Sequence, residues 1–446
     1  TNGQELRGED ILPGWSETKT FTVENTGTVE ATYNINWENL TNTFVNKGDL
    51  VYTLTSTNSG GTLTETQMPD SGEHVSILSN IKIAPEVTQT YTLTVTYKNR
   101  DADQSSDMGK SLIGKIEVVD VNGNNTKTGA ETLIAKATED NTDGLIKLEQ
   151  PKTTQTEALT EYRYSGSNNS VKNYVTFNDE EWRIIGVSPV DDGTGKVENR
   201  IKLIKSSELG KYVWDASSSS VNYGGGINQW GASGSYTNGA DLMRVLNPGY
   251  ESKKYGNSLY YNRGKGSCYY THVSYDTHIS PCDFTKTGLK TETKDFIDKV
   301  KWHTAAVNYE KLTSELYKEE RGNLVGLSEE DGITRTTSWI GLVGLVNISD
   351  YGYSSKDCYE FYSPHEYNTL ESCTSSSWML AHEFEWTITP AAGYATRVIY
   401  ISENGSIGRN LGYYHDIIRP VVFLKTNVKI ISGSGLESDP YILELN

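Results

Sequence analysis

One run constrains the fold of this chain more than any other: Tyr174-Val175-Thr176-Phe177-Asn178-Asp179-Glu180-Glu181-Trp182-Arg183-Ile184-Ile185-Gly186-Val187. Two β-type runs flank a polar Asn-Asp-Glu-Glu turn, which is a hairpin signal. A second turn, Asp191-Asp192-Gly193-Thr194-Gly195, leads into Arg200-Ile201-Lys202-Leu203-Ile204-Lys205. That run alternates charged and apolar residues, as a half-buried strand does. A matching stretch, Ile417-Ile418-Arg419-Pro420-Val421-Val422-Phe423-Leu424, lies near the C-terminus. These pieces bracket one β-rich domain and do not point to catalysis.

A chain of 446 residues has room for two or three domains with ample cores. Tyr (29) far outnumbers Phe (8), and Thr and Gly are plentiful, which suits strands apolar on one face and wet on the other. This is the look of an extracellular β-rich protein; the plainer reading is a β-rich globule of any compartment. The formal net charge of −18 argues against nucleic acid as a partner and against adsorption to anionic lipid. It favours solubility instead. Residues 1–120 carry 17 acidic and 8 basic side chains, so the excess is concentrated at the N-terminal end. No segment approaches the roughly 18 apolar residues of a membrane span, so direct membrane insertion is not expected. Thr1-Asn2-Gly3-Gln4 does not open a signal peptide, so a secreted protein would be seen here in its mature form. Tyr441-Ile442-Leu443-Glu444-Leu445-Asn446 reads as a final strand.

The four cysteines are Cys268, Cys282, Cys358 and Cys373. They form two closely spaced pairs in Tyr- and Ser-rich segments without a Cys-x-x-Cys, which disfavours a zinc ribbon. Three pairings are open. The local one, Cys268–Cys282 with Cys358–Cys373, closes two short loops and implies an oxidising compartment. Four buried free thiols are the alternative.

The expected fold class is mainly β with minor α. Residues 1–120 read as a β-sandwich, with strands at Thr20–Glu24, Tyr33–Trp37, Leu50–Leu54, Tyr91–Tyr97 and Lys115–Val119. The clearest is Tyr91–Tyr97, with Tyr91, Leu93, Val95 and Tyr97 on one face and threonines on the other. Residues 121–160 read as a connector: a turn at Asn122-Gly123-Asn124-Asn125, a short helix over Thr132–Ala137, and a polar spacer from Pro151 to Thr156. Residues 161–446 read as a second domain with long aromatic loops. Helices are expected over Asn238–Asn247 and Lys294–Trp302, and a buried strand pair over Trp339–Val346.

The segments Ile11-Leu12-Pro13-Gly14-Trp15, Phe21 to Gly27 and Ile83-Ala84-Pro85 before Tyr91–Tyr97 resemble the TasA/camelysin-like biofilm-matrix and surface proteins. The resemblance implies a jelly-roll or Ig-like sandwich. It also implies an N-terminal strand, here Gln4, Leu6, Ile11 and Leu12, that completes the sheet of a neighbouring copy, making the chain its own partner. The order Tyr162-Arg163-Tyr164, Tyr174–Val187, Ile227–Gly231, Thr336–Trp339, Asp350–Tyr353, Trp386-Thr387-Ile388-Thr389-Pro390, Arg419-Pro420-Val421 and Ser438–Tyr441 resembles a domain of surface proteins of gut Firmicutes. Its ending is similar to C-type-lectin-like and formylglycine-generating-enzyme-like folds. This second resemblance implies a C-type-lectin-like α+β domain at the surface of a Gram-positive bacterium. Every cysteine lies in a loop-type pair, so the formylglycine-generating activity is not carried over.

No catalytic, cofactor or metal residues are assigned. His272 and His278 flank Asp276 without a recognised ligand spacing, and His382-Glu383 lacks the second His of a zincin. Asp191, Asp192 and Glu198 offer oxygens to a Ca²⁺ ion, yet Asp-Gly-Thr-Gly is also simply a turn. Gly-x-Ser-x-Gly and phosphate-loop patterns are missing. Tyr269, Tyr270, Tyr353, Tyr359, Trp378, Tyr413 and Tyr414 are candidate recognition residues for a glycan or host protein; the other reading is that they pack a loop layer or an intersubunit surface. The expected function is a non-enzymatic structural subunit of an extracellular filament or surface layer, with a cell-surface adhesin as the alternative.

Overall fold

The computed structural model of the chain describes residues 5–8, 11–25, 30–120, 127–139, 143–217, 226–253, 257–273, 276–326 and 332–445. For residues 5–8, 138–139, 270–273 and 276–278 only the backbone is described. Gln4, the turn at 122–125 and the side chains of Leu6, Tyr270, His272, Asp276 and His278 therefore lie outside the description. The protein is mainly β with minor α, as the sequence indicates. It divides into two compact units, Thr1–Thr126 and Lys127–Asn446.

Among its described residues unit 1 holds eight strands: β1 (Glu5–Gly8), β2 (Ser16–Glu24), β3 (Ala31–Asn42), β4 (Leu50–Ser56), β5 (Leu63–Gln67), β6 (Gly72–Ile83), β7 (Thr88–Tyr97) and β8 (Leu112–Asp120). They form two four-stranded sheets, ordered β1-β8-β3-β6 and β2-β7-β4-β5. Period-two patterning makes them a sandwich: Tyr33, Ile35 and Trp37 from one sheet share a core with Leu54, Tyr91, Leu93 and Val95 from the other. The inward tyrosines keep their hydroxyls satisfied. Tyr33 and Tyr91 bond each other at 2.5 Å, and Tyr91 donates to the Gly60 carbonyl.

Unit 2 opens with α1 (Gly129–Glu139), β9 (Leu145–Gln150), β10 (Leu159–Tyr164), β11 (Tyr174–Phe177), β12 (Glu180–Asp191) and β13 (Val197–Lys205). The stretch read as a connector is thus largely built into this unit. Leu133 of α1 is fully buried in the unit's core, β9 pairs with β10, and Gln155 bonds the Gly322 carbonyl at 2.8 Å. A nine-stranded sheet runs Val343–Gly344, Val421–Phe423, β13, β12, β11, Tyr441–Leu445, Val428–Ser432, with β10 and β9 branching from β12. A five-stranded sheet contains Lys211–Val213, His415–Ile417, Glu385–Pro390, Arg397–Ile401 and Ile407–Leu411.

The hairpin forms where its sequence places it. Its turn narrows to Asn178 and Asp179, at φ 60° and 56°, while Glu180 and Glu181 begin β12. Two consecutive positive φ values make the tight turn whose twist matches paired strands. The distant C-terminal stretch docks beside it, with Lys202 opposite Phe423 and Val175 opposite Tyr441.

Three local expectations are corrected. Lys294–Trp302 is not a helix: Thr291–Lys294 is helical, then Val300–His303 is a strand paired with Ser338–Gly341. Val300 and Trp302 both bury, a period of two that the short apolar run Phe296, Ile297, Val300 masks. The two strands within Trp339–Val346 pair not with each other but with Val300–His303 and Val421–Phe423. Most consequential, β13 is not half-wet: Arg200 and Lys202 are buried, and so is Lys205 on the opposite face. A second layer covers the face the alternation assigned to solvent.

Candidate ligand-binding cavity

The register of β10, β12 and β13 collects cations on one sheet face. Arg163 lies opposite Gly186, Gly186 opposite Lys202, and Arg183 opposite Ile204. Directly opposed residues share a face, as do alternate residues along a strand. A bulge between Ile184 and Gly186 keeps Arg183 on the same face as Arg163, Arg200 and Lys202. Burying such groups is costly unless each finds a counter-charge.

Three of the four do. Arg200 Nε donates to Asp298 Oδ2 at 2.7 Å. Lys202 Nζ donates to Asp350 Oδ2 at 2.6 Å and to Asn347 Oδ1 at 3.0 Å. Arg163 bonds Asp350 Oδ1, and its Nε meets Glu161 Oε2 at 2.9 Å. Asp350 also caps the helix Ile348–Ser354, accepting from the Asn347 amide at 3.1 Å. Burial raises the Asp350 carboxyl, but Lys202 and Arg163 outweigh it and hold the group well below the usual range. Burial pulls the Lys202 ammonium down, with Asp350 opposing. Glu320, deep beside Arg321, is raised by burial and accepts from Ser349 and Thr389. The cavity within this network, lined by Glu161, Arg163, Lys202, His303, Tyr317 and Arg321 among others, measures about 30 Å³. That is space for about one water molecule. Arg163, Lys202 and Arg321 each face a carboxylate within this buried network.

Arg183 is different. It is 5 % exposed and has no carboxylate partner among the described residues. Its Nε donates to Asn173 Oδ1 at 2.5 Å and Nη1 to Asn168 Oδ1 at 3.0 Å, while Nη2 has no hydrogen-bond partner. Two aromatic rings stack on it. The Tyr174 ring, its cross-strand neighbour, is centred 3.7 Å away, and the Trp378 ring 4.9 Å away. The Trp378 ring is held by its own Nε1 bond to the Tyr164 carbonyl at 2.8 Å. Burial pushes the guanidinium down to about 10, against the pull of Tyr174 and Glu181. In front lies a cavity of about 410 Å³ that Tyr174, Ser206, Glu208, Leu380 and Arg419 also line. Arg419 is already neutralised by Glu385 at 2.7 Å, and the Ser206 hydroxyl, like Nη2, is buried without a partner. Here a sizeable cavity meets a buried cation that has no ion-pair partner among the described residues.

The candidate recognition residues are not gathered on one aromatic surface. Tyr353, Trp378 and Tyr413 are buried, Tyr269 and Tyr359 half-buried, and Tyr414 exposed. Tyr353 packs under Arg163 and against Tyr359; Tyr413 packs on Tyr414. Trp378 alone among them lines the Arg183 cavity. In the N-terminal segment, β1 pairs with β8 of its own chain, Leu6 opposite Gly114; Ile11 packs against the unit 1 core and Leu12 is exposed. The cysteines adopt the local pairing, Cys268–Cys282 and Cys358–Cys373. Asp191 and Asp192 form the turn: Asp191 Oδ1 accepts from Gly193 and Gly195, and Asp192 Oδ1 from Thr194. Nothing in the motifs or spacing of the sequence distinguishes Arg183 or Ser206 as site residues. The one signal for Arg183 is a lone guanidinium inside the apolar run Trp182–Val187.

No protein-family model, no curated protein and no solved structure matches this chain.

Proposed function

We propose that this chain is a non-enzymatic structural subunit of an extracellular filament or surface layer of a Gram-positive bacterium, joined to its neighbours by exchange of the N-terminal strand and displaying unit 2. The observation that supports this reading is the place of β1. It is four residues long, sits at a sheet edge and, among the described residues, pairs only with β8, through Glu5–Lys115 to Gly8–Leu112. Beyond Lys115, β8 continues to Asp120 with that side unpaired among the described residues. The same strand supplied by another copy makes the same main-chain bonds, so exchange costs little, and head-to-tail repetition builds an open fibre. Two disulfides accord with an oxidising compartment. The test is deletion of residues 1–12, followed by sedimentation and electron microscopy. The full chain should form fibres and the truncated chain should stay monomeric; fibres that persist without residues 1–12 overturn the reading.

A second reading, an adhesin whose unit 2 recognises a ligand, is favoured by the Arg183 cavity. Saturable binding of the purified chain on a glycan or host-protein array supports it; a blank array counts against it.

A further inference from the structure

The cations on the face shared by β10, β12 and β13 are paired in three of four cases, and the exception lines a recess with several polar residues in its wall. A buried guanidinium without an anion is expensive to maintain. Here it is retained beside a cavity of about 410 Å³, within the size range of small-ligand sites.

We propose that this cavity binds a uronic-acid residue, a sugar carrying one carboxylate, and that the carboxylate completes the ion pair Arg183 lacks. The inference rests on the adhesin reading and gives its ligand a chemical class. Three observations select that class. First, Nη2 of Arg183 and Oγ of Ser206 are buried polar atoms with unused hydrogen-bonding capacity. A carboxylate accepts from both. Second, the exposed Glu181 and Glu208 border the cavity. They offer acceptors to sugar hydroxyls, and they repel a dianion about twice as strongly as a monoanion, which disfavours phosphate monoesters relative to a carboxylate. Third, Arg419 is already paired with Glu385, so Arg183 is the lining cation left without an ion-pair partner among the described residues. Nη2 is screened from solvent, so docking requires the Tyr174 ring, half-buried and lining the same cavity, to swing off the guanidinium.

The test is calorimetric titration of the full chain with methyl glucuronide, methyl glucoside, glucuronamide and N-acetylglycine. Two variants accompany it, Arg183→Gln and Ala381→Trp, with folding checked by circular dichroism. Ala381 lines the cavity without bonding Arg183, so its replacement blocks the space even where Arg183→Gln fails to fold. Methyl glucuronide should bind, and the neutral glucoside and amide should bind at least about tenfold more weakly, the scale of one charged hydrogen bond. Ala381→Trp should abolish the binding. Equal binding of the glucoside overturns the carboxylate assignment. Binding of N-acetylglycine in place of the glucuronide overturns the sugar. Array binding by the chain that survives Ala381→Trp leaves the adhesin reading standing and overturns this site. Extending the titration to a glucuronate-terminated oligosaccharide separates a free sugar acid, which binds as well as the oligosaccharide, from a glycan end, which binds less well alone.

Discussion

Arg419 grips Glu385 through two parallel hydrogen bonds, Nε to Oε1 at 2.9 Å and Nη2 to Oε2 at 2.7 Å, with both residues buried. The pair ties the segment before Val421–Phe423 to the first residue of Glu385–Pro390, and so one sheet of unit 2 to the other. Removing either partner leaves an isolated buried charge. Arg419→Ala and Glu385→Ala should each cost about 3–5 kcal/mol. The double change to Met and Leu should cost much less than the sum. Urea unfolding of the three variants checks this; additive losses would show that the two do not act as a pair.

Gly186 lies at the β12 bulge, against β10. A Cβ there would meet the Tyr162 carbonyl oxygen at 2.1 Å, and backbone cannot move aside as a flexible side chain does. Gly186→Ala should cost about 3 kcal/mol by driving β10 off β12. Hydrogen exchange should show loss of protection at Tyr162 and Arg163, and unchanged protection there would refute the mechanism.

Cys358 and Cys373 close a loop with a sequence separation of 15 and are both buried. Replacing both with Ala should cost about 3 kcal/mol, largely by freeing the unfolded chain. Thermal melts with and without reductant measure it. Reductant should lower the melting temperature of the native protein, with peptide mapping confirming the local pairing.

Asp416 is buried opposite Tyr212, and burial raises its carboxyl to about 7, with Lys211 opposing. Between pH about 4 and 7 the folded protein therefore keeps a proton that the unfolded chain releases. Stability should fall as pH rises through that window and level off above it. Asp416→Asn should flatten the profile. It should match the native protein near pH 4 and exceed it by up to about 4 kcal/mol at pH 8, at ~1.4 kcal/mol per tenfold change in proton affinity. Parallel stability profiles for the two proteins would rule this out.

Local patterning determined a great deal of this molecule from sequence alone. Alternation in Tyr91–Tyr97 specifies which face of β7 meets the opposing sheet, and Asn178-Asp179 supplies the left-handed turn that closes the hairpin, because both are properties of residues close in the chain. The short spacing of the cysteines likewise matched their pairing. What alternation in Arg200–Lys205 could not reveal is what lies over each face. A charged face turned to water and one turned to Asp298 and Asp350 have the same period, and those carboxylates lie some hundred to a hundred and fifty residues away in the chain. The candidate site has the same origin. Arg183 is one cation among several in the sequence, and only the packed structure decides that its neighbours receive carboxylates while it receives two aromatic rings and an open cavity. Burial and charge pairing are set by contacts between distant segments, and those are decided when the chain folds.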